Sequence, residues 1–101
     1  MQLTDAIKTA LFRIVQESLT NVARHSGAKK VTVTFTNKDG TLFLSIADNG
    51  KGFDKQKVTD KRTLGILGMK ERVNMINGVY KINADPGKGT EVLVKIPLNK
   101  S

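Results

Sequence analysis

Residues 45–52 read Ser-Ile-Ala-Asp-Asn-Gly-Lys-Gly, an apolar strand running straight into Asp48-Asn49-Gly50 and then Gly52. A carboxylate at the mouth of a strand, followed by two glycines two residues apart, suits a planar nitrogen heterocycle. The acid accepts from an exocyclic amine, and the missing Cβ atoms let a ring approach the backbone. Counting back by twos, Asp48 shares a face with Ile46, Leu44 and Leu42, the face of this strand that must bury. An aspartate pointing coreward without a partner costs several kcal/mol. Its simplest partner is a bound ligand.

The strand of residues 42–48 is the return arm of a hairpin. Before it, Val31-Thr-Val-Thr-Phe-Thr36 alternates strictly, which predicts a half-buried strand with Val31, Val33 and Phe35 facing in, and Asn37-Lys-Asp-Gly40 is a turn by composition. Further upstream, Ile7, Leu11, Ile14, Val15, Ser18, Leu19 and Val22 recur at helical spacing over residues 4–25. Thr4 is the expected N-cap, Asp5 lies in the first turn, and Ser26-Gly27 ends the helix. On regular helical spacing Glu17, Asn21 and Arg24 share one edge, at the border of the apolar stripe. Downstream, residues 49–66 show little periodicity and have glycines at both ends, so they are expected to form a mobile lid. A second helix is expected at about 67–77, with Met69, Val73 and Ile76 in register. A last hairpin pairs 79–84 with 90–97 across Asp85-Pro-Gly-Lys-Gly89. The order helix–hairpin–lid–helix–hairpin predicts an α+β fold, a two-layer α/β sandwich with helices on one face of a mixed, mostly antiparallel sheet.

Size and charge set the outer limits. The chain has 101 residues, room for one domain, 1–101, with one modest core. With no cysteine, neither a disulfide framework nor a thiolate metal site is available. No apolar run approaches the ~20 residues needed to cross a bilayer, and the first apolar stretch carries Asp5 and Lys8, unlike a signal peptide. The net charge of +8 is compatible with a nucleic-acid binder and equally with a domain that holds a polyphosphate. The lysines are scattered, and one tyrosine and four phenylalanines make a poor stacking platform. Most of these lysines read as solvated surface charges.

Three further pieces repeat the theme of Asp48: Glu17-x-x-x-Asn21, Gly65-x-x-Gly68-Met69 and Gly87-x-Gly89-Thr90. Each has a plainer explanation, namely two surface residues, a flexible joint and a hairpin turn. Gly68, read as the start of the second helix, would offer free N–H groups and the positive dipole end to phosphate. A hard Mg²⁺ ion held mainly by phosphates and water needs few protein groups, so Asn21 suffices. His25 is the only histidine, so an imidazole-based metal site fails. It either favours the negative end of the first helix or, beside Arg24, meets phosphate. Together the four pieces predict a purine nucleotide site.

In this order they resemble the N, G1, G2 and G3 boxes of the Bergerat-type ATP-binding fold, shared by sensor histidine kinases, DNA gyrase, a heat-shock chaperone class and mismatch-repair ATPases. The chain looks most like the catalytic domain of bacterial two-component histidine kinases. Phe12-Arg-Ile-Val-Gln-Glu17-Ser-Leu-Thr-Asn21-Val-Ala-Arg24-His25-Ser26 and Leu64-Gly-Ile-Leu-Gly-Met-Lys-Glu-Arg-Val73 resemble the subgroup acting on helix-turn-helix response regulators. Thr63 stands where relatives often have another lid glycine, and Lys70 replaces a frequent arginine, keeping charge but losing bidentate geometry.

The resemblance implies that Asp48 accepts from the adenine amine, with Gly52 and Thr90 around the ring, Thr90 through water, and with Gly50, Gly65 and Gly89 also in the ATP site. It implies that Asn21 holds Mg²⁺ against the phosphates. Arg24, His25 and the backbone of Leu67, Gly68 and Met69 would meet the phosphate chain. Glu17 matches the acid that activates water in ATP-hydrolysing relatives. The implied cofactors are ATP and Mg²⁺. The implied partners are ATP or ADP, a histidine-bearing dimerisation domain of the same sensor and a downstream response regulator, with no direct nucleic acid. The isolated domain is expected to be a monomer excised from a longer protein, without its own phosphoacceptor. Its place is cytoplasmic, with membrane attachment only through the full-length sensor. The alternative is a freestanding serine kinase of the same fold.

Overall fold

The computed structural model describes residues 4–52 and 61–98, apart from the side chains of residues 25, 26 and 61–63. Helix α1 spans Asp5–Asn21 and opens on Thr4, whose Oγ1 accepts from the Ile7 N–H at 3.1 Å. A π-helical turn, Val22–Ser26, continues it, and Gly27 closes it with φ 64°. Strands β1 (Val31–Lys38) and β2 (Thr41–Asp48) form the first hairpin, and β3 (Val79–Ala84) and β4 (Thr90–Pro97) the second. Between the hairpins lies helix α2, Lys61–Asn74.

The sheet order is β1-β2-β4-β3, and every pairing is antiparallel. The parallel element of the expected mixed sheet is therefore absent among the described strands. Register rows run across the inner face: Leu42 opposite Ile96, Leu44 opposite Val94 and then Tyr80, Ile46 opposite Val92 and then Ile82. Ile7, Leu11 and Ile14 of α1 and Met69 and Val73 of α2 pack on these rows to form the core. Ile14, Val73 and Ile96 are fully enclosed.

Three expectations are corrected. On β1, Val33 and Phe35 share the inner face with Ile46 and Leu44, yet they are 39% and 53% exposed. β1 is an edge strand, and the helices cover its neighbours. Second, α2 begins at Lys61 and ends at Asn74, whereas residues 67–77 were expected. Half-buried Ile66 joins buried Met69 and Val73 at helical spacing, so the apolar stripe reaches back beyond Gly68. The helix stops where Asn77 takes φ 62° and the Gly78 N–H reaches Val73 O at 2.9 Å. Third, the expected lid, 49–66, is helical from residue 61 onward, and its residues 53–60 lie outside the described ones.

Candidate functional site

The open end of the sheet gathers the residues from three loops. In register, Val31, Asp48, Thr90 and Ala84 form the last row across all four strands. Asp48 is half-buried at this end rather than sunk beneath the helices, and its Oδ1 accepts from the Gly50 N–H at 2.8 Å. That bond supplies part of the partner a coreward carboxylate requires, and among the described residues Oδ2 has no further hydrogen bond.

Two glycines lock the loop after β2 onto the β3–β4 turn. Gly52 has φ 62°, and a Cβ there would collide with the carbonyl oxygens of Asp85 and Gly89. Gly89 has φ 79°, and its Cβ would collide with the carbonyl of Asp48. Backbone cannot yield to a methyl group as a side-chain tip can, so both positions demand glycine. The Gly87 N–H also bonds Lys51 O, tying the two loops a second time. A cavity of ≈ 270 Å³ wraps over this end of the sheet, lined by Asp48, Thr90 and Ala84 and also by Ala47, Glu91 and Asn83, the next row, which faces the other side.

Asn49 was quoted in the motif without a role. Its Oδ1 accepts from the N–H groups of both Lys29 and Lys30 at 3.0 Å, and its own N–H reaches Lys30 O at 3.2 Å. It clamps the loop leaving α1 to the loop leaving β2. The sequence signal was there: asparagine beside a strand end habitually satisfies nearby backbone.

On α1, Glu17 and Asn21 are half-buried one turn apart, as the helical spacing required. Arg24 falls in the π-helical turn and is exposed. The His25 side chain lies outside the described residues. The Glu17 carboxylate rests against α2: a Cβ at Gly65 would stand 2.8 Å from Glu17 Oε2. Burial, and secondarily the charge of Glu17, push the Tyr80 hydroxyl well above its ordinary pKa of 10.0. That hydroxyl donates to Met69 Sδ at 3.9 Å, as does Ser18 Oγ at 3.8 Å.

The G2-like segment is the main correction. Gly68 is not at a helix start. Leu67, Gly68 and Met69 lie within α2, so their N–H groups are committed to carbonyls four residues back. Met69 is a core side chain, Leu67 is half-exposed, and no atom stands within 4 Å of a Cβ placed at Gly68. Among the described residues no group of three or more His, Cys, Asp or Glu gathers as a metal site. No helix among them is long and apolar enough to cross a membrane.

Residues 6–100 match the family described as histidine kinase-, DNA gyrase B- and HSP90-like ATPase. The chain is 45% identical over 96 residues to the sensor histidine kinase LiaS of Bacillus subtilis, covering 95% of the chain and 26% of LiaS. It is 38% identical over 100 residues to the signal transduction histidine-protein kinase/phosphatase DegS of the same organism, covering 97% and 26%. It thus spans about a quarter of the length of these relatives. Its fold is shared with the histidine kinase AdeS of Acinetobacter baumannii, at TM-score 0.77 and 19% identity over 93% of this chain and 48% of that one. The chain belongs to the histidine kinase-, DNA gyrase B- and HSP90-like ATPase family.

Proposed function

We propose that this domain binds ATP with Mg²⁺ and supplies the γ-phosphoryl group to a histidine elsewhere in a longer two-component sensor kinase. The observation that carries the reading is the Asp48–Thr90 pair at the end of the sheet, walled by Gly52 and Gly89. A half-buried carboxylate with one free oxygen accepts from the purine amine, Thr90 offers a hydroxyl beside it, and the bare glycines admit the ring. Gly50 fixes the aspartate through its N–H.

Asn21, with Glu17 one turn before it, fits a hard cation that draws most of its ligands from phosphate and water. Bound there, Mg²⁺ neutralises charge on the phosphates, and the rest of the chemistry is positioning. Arg24 and His25 follow on the same chain segment as phosphate partners. For Leu67, Gly68 and Met69 to meet phosphate through their N–H groups, the first turns of α2 must unwind. The two glycines within those turns keep that cost low, each weakening a helix by about 1 kcal/mol relative to alanine.

The phosphoacceptor domain, the response regulator (of helix-turn-helix type by the subgroup resemblance) and a membrane-attached full-length sensor with this domain in the cytoplasm complete the proposal. Nothing favours the serine kinase alternative. Calorimetric titration of wild type and Asn21→Ala with a non-hydrolysable ATP analogue tests the reading. Magnesium-dependent binding is expected in wild type, and its magnesium dependence should vanish in the variant. No binding by the wild type would overturn the assignment.

A further inference from the structure

An antiparallel sheet covered by helices on one side ordinarily turns a polar face to water. Here the uncovered face carries lysines, threonines and Ser45, but it also exposes an apolar patch. Register puts Phe43 opposite Lys95 and Lys95 opposite Val79 in one row, with Ser45, Leu93 and Lys81 in the next. Phe43 and Val79 therefore flank Lys95 directly and Leu93 is diagonal to both, while the Lys95 ammonium lies 6.0 Å from the Phe43 ring centroid. Phe43 is 39% and Val79 60% exposed. A mostly apolar groove of ≈ 300 Å³ runs along this face, lined by Phe43, Leu93 and Val79 together with Lys81, Lys95 and Thr34.

The charge on this face is uncompensated. Lys81 and Lys95 are exposed diagonal neighbours across β3 and β4, and neither has a carboxylate partner among the described residues. The one acid that β1–β4 turn to this face, Glu91, lies opposite Asn83, toward the Asp48 end. Exposed apolar area and adjacent like charges are both unfavourable, and one kind of partner relieves both. A second copy of the chain would set lysine against lysine, on a molecule already carrying +8. A nucleic acid would answer the lysines but leave the groove unfilled, with Phe43 as the sole ring to stack on. The groove is recessed between lysine side chains, a shape that admits a side chain rather than the plane of a bilayer.

We propose that the outer face of the sheet docks an acidic polypeptide segment. An apolar side chain of the partner fills the groove bounded by Phe43, Leu93 and Val79, while flanking carboxylates meet Lys81 and Lys95. The surface lies on the far side of the sheet from α1 and α2, so its occupation is separable from that of the nucleotide site.

The test is a ¹⁵N NMR titration of the 101-residue chain with a blocked peptide of aspartates and glutamates flanking a leucine–phenylalanine pair. A second peptide has both apolar residues changed to serine, and phosphatidylglycerol vesicles and a DNA duplex serve as competing probes. Saturable shifts centred on Phe43, Leu93 and Lys95 are expected. Affinity should fall by about tenfold or more with the serine peptide and in the double variant Lys81→Glu/Lys95→Glu. ATP-analogue affinity should be unchanged in that variant. Absence of saturable shifts at millimolar peptide, equal binding of the serine peptide, or tighter binding of vesicles or DNA at this face would overturn the proposal.

Discussion

Gly65 lies flat against Glu17: a Cβ on the glycine would stand 2.8 Å from the carboxylate oxygen Oε2. The two helices approach closely because α2 presents no side chain there, and the acid of α1 occupies the vacated space. Gly68, three residues on, has no neighbour within 4 Å of its Cβ position. One glycine makes room for a carboxylate, whereas packing gives no reason for the other.

That difference makes Gly68→Ala informative. In a helix interior with open space, alanine is favoured by about 1 kcal/mol, so unfolding free energy by guanidinium titration should rise by that amount. If phosphate binding requires these turns to unwind, the same variant should bind an ATP analogue about fivefold more weakly. A less stable variant would mean that residues 61–68 are not helical in solution.

Asp48→Asn separates architecture from recognition. The amide oxygen still accepts from the Gly50 N–H, so the loop and the thermal midpoint should change little. The other oxygen becomes an NH₂ donor facing the purine amine, and two donors cannot pair. Calorimetry should show a loss of about tenfold or more in nucleotide affinity, and wild-type affinity would remove Asp48 from the site.

Gly87 and Gly89 share φ 79° but not surroundings. Gly87→Ala meets no atom within 4 Å and should cost only the left-handed backbone penalty, about 1 kcal/mol. Gly89→Ala forces Asp48 backbone to move and should cost roughly 2–4 kcal/mol, with nucleotide binding lost as well. Equal denaturation midpoints for the two variants would contradict the interlocked loops.

Tyr80 predicts an alkaline weakness. Its folded pKa is raised, so below pH 10 the phenol is neutral in both states and its contribution is complete. Above pH 10 the unfolded chain sheds the proton first, and stability should fall by about 1.4 kcal/mol per pH unit until the folded form also ionises. Tyr80 is the only tyrosine, so phenolate absorbance reports it alone, and Tyr80→Phe should remove this component of the slope. A phenol ionising near pH 10 in the folded protein would refute its burial.

Much of the fold was legible because local chemistry agreed with the final packing. Thr4 capped α1 as expected, and Leu42, Leu44 and Ile46 alternated into the core. Alternation on β1 gave the right face, but it cannot reveal whether a helix lies above that face, and none covers Val33 or Phe35. The start of α2 was hidden by two glycines that mimic a loop, although Ile66, Met69 and Val73 kept the helical period. The π-helical turn that holds Arg24 has no sequence signature of its own. At the site, the family resemblance, rather than spacing, implied that Asp48, Gly52, Gly89 and Thr90 belong together, and they meet because each sits beside a strand end. The double acceptor role of Asn49 depends on how the loop after α1 returns, which single-strand patterns do not encode.

The last of the described strands in sequence, β4, is inserted between β2 and β3 rather than added at a margin. Thr90 and Gly89 belong to this final arrival, whereas Asp48 emerges some forty residues sooner. A nascent chain on the ribosome therefore carries the acid without its wall. If this is the purine site, as proposed, it is whole only once the β3–β4 hairpin slots home, which makes ligand capture a stopwatch for that step.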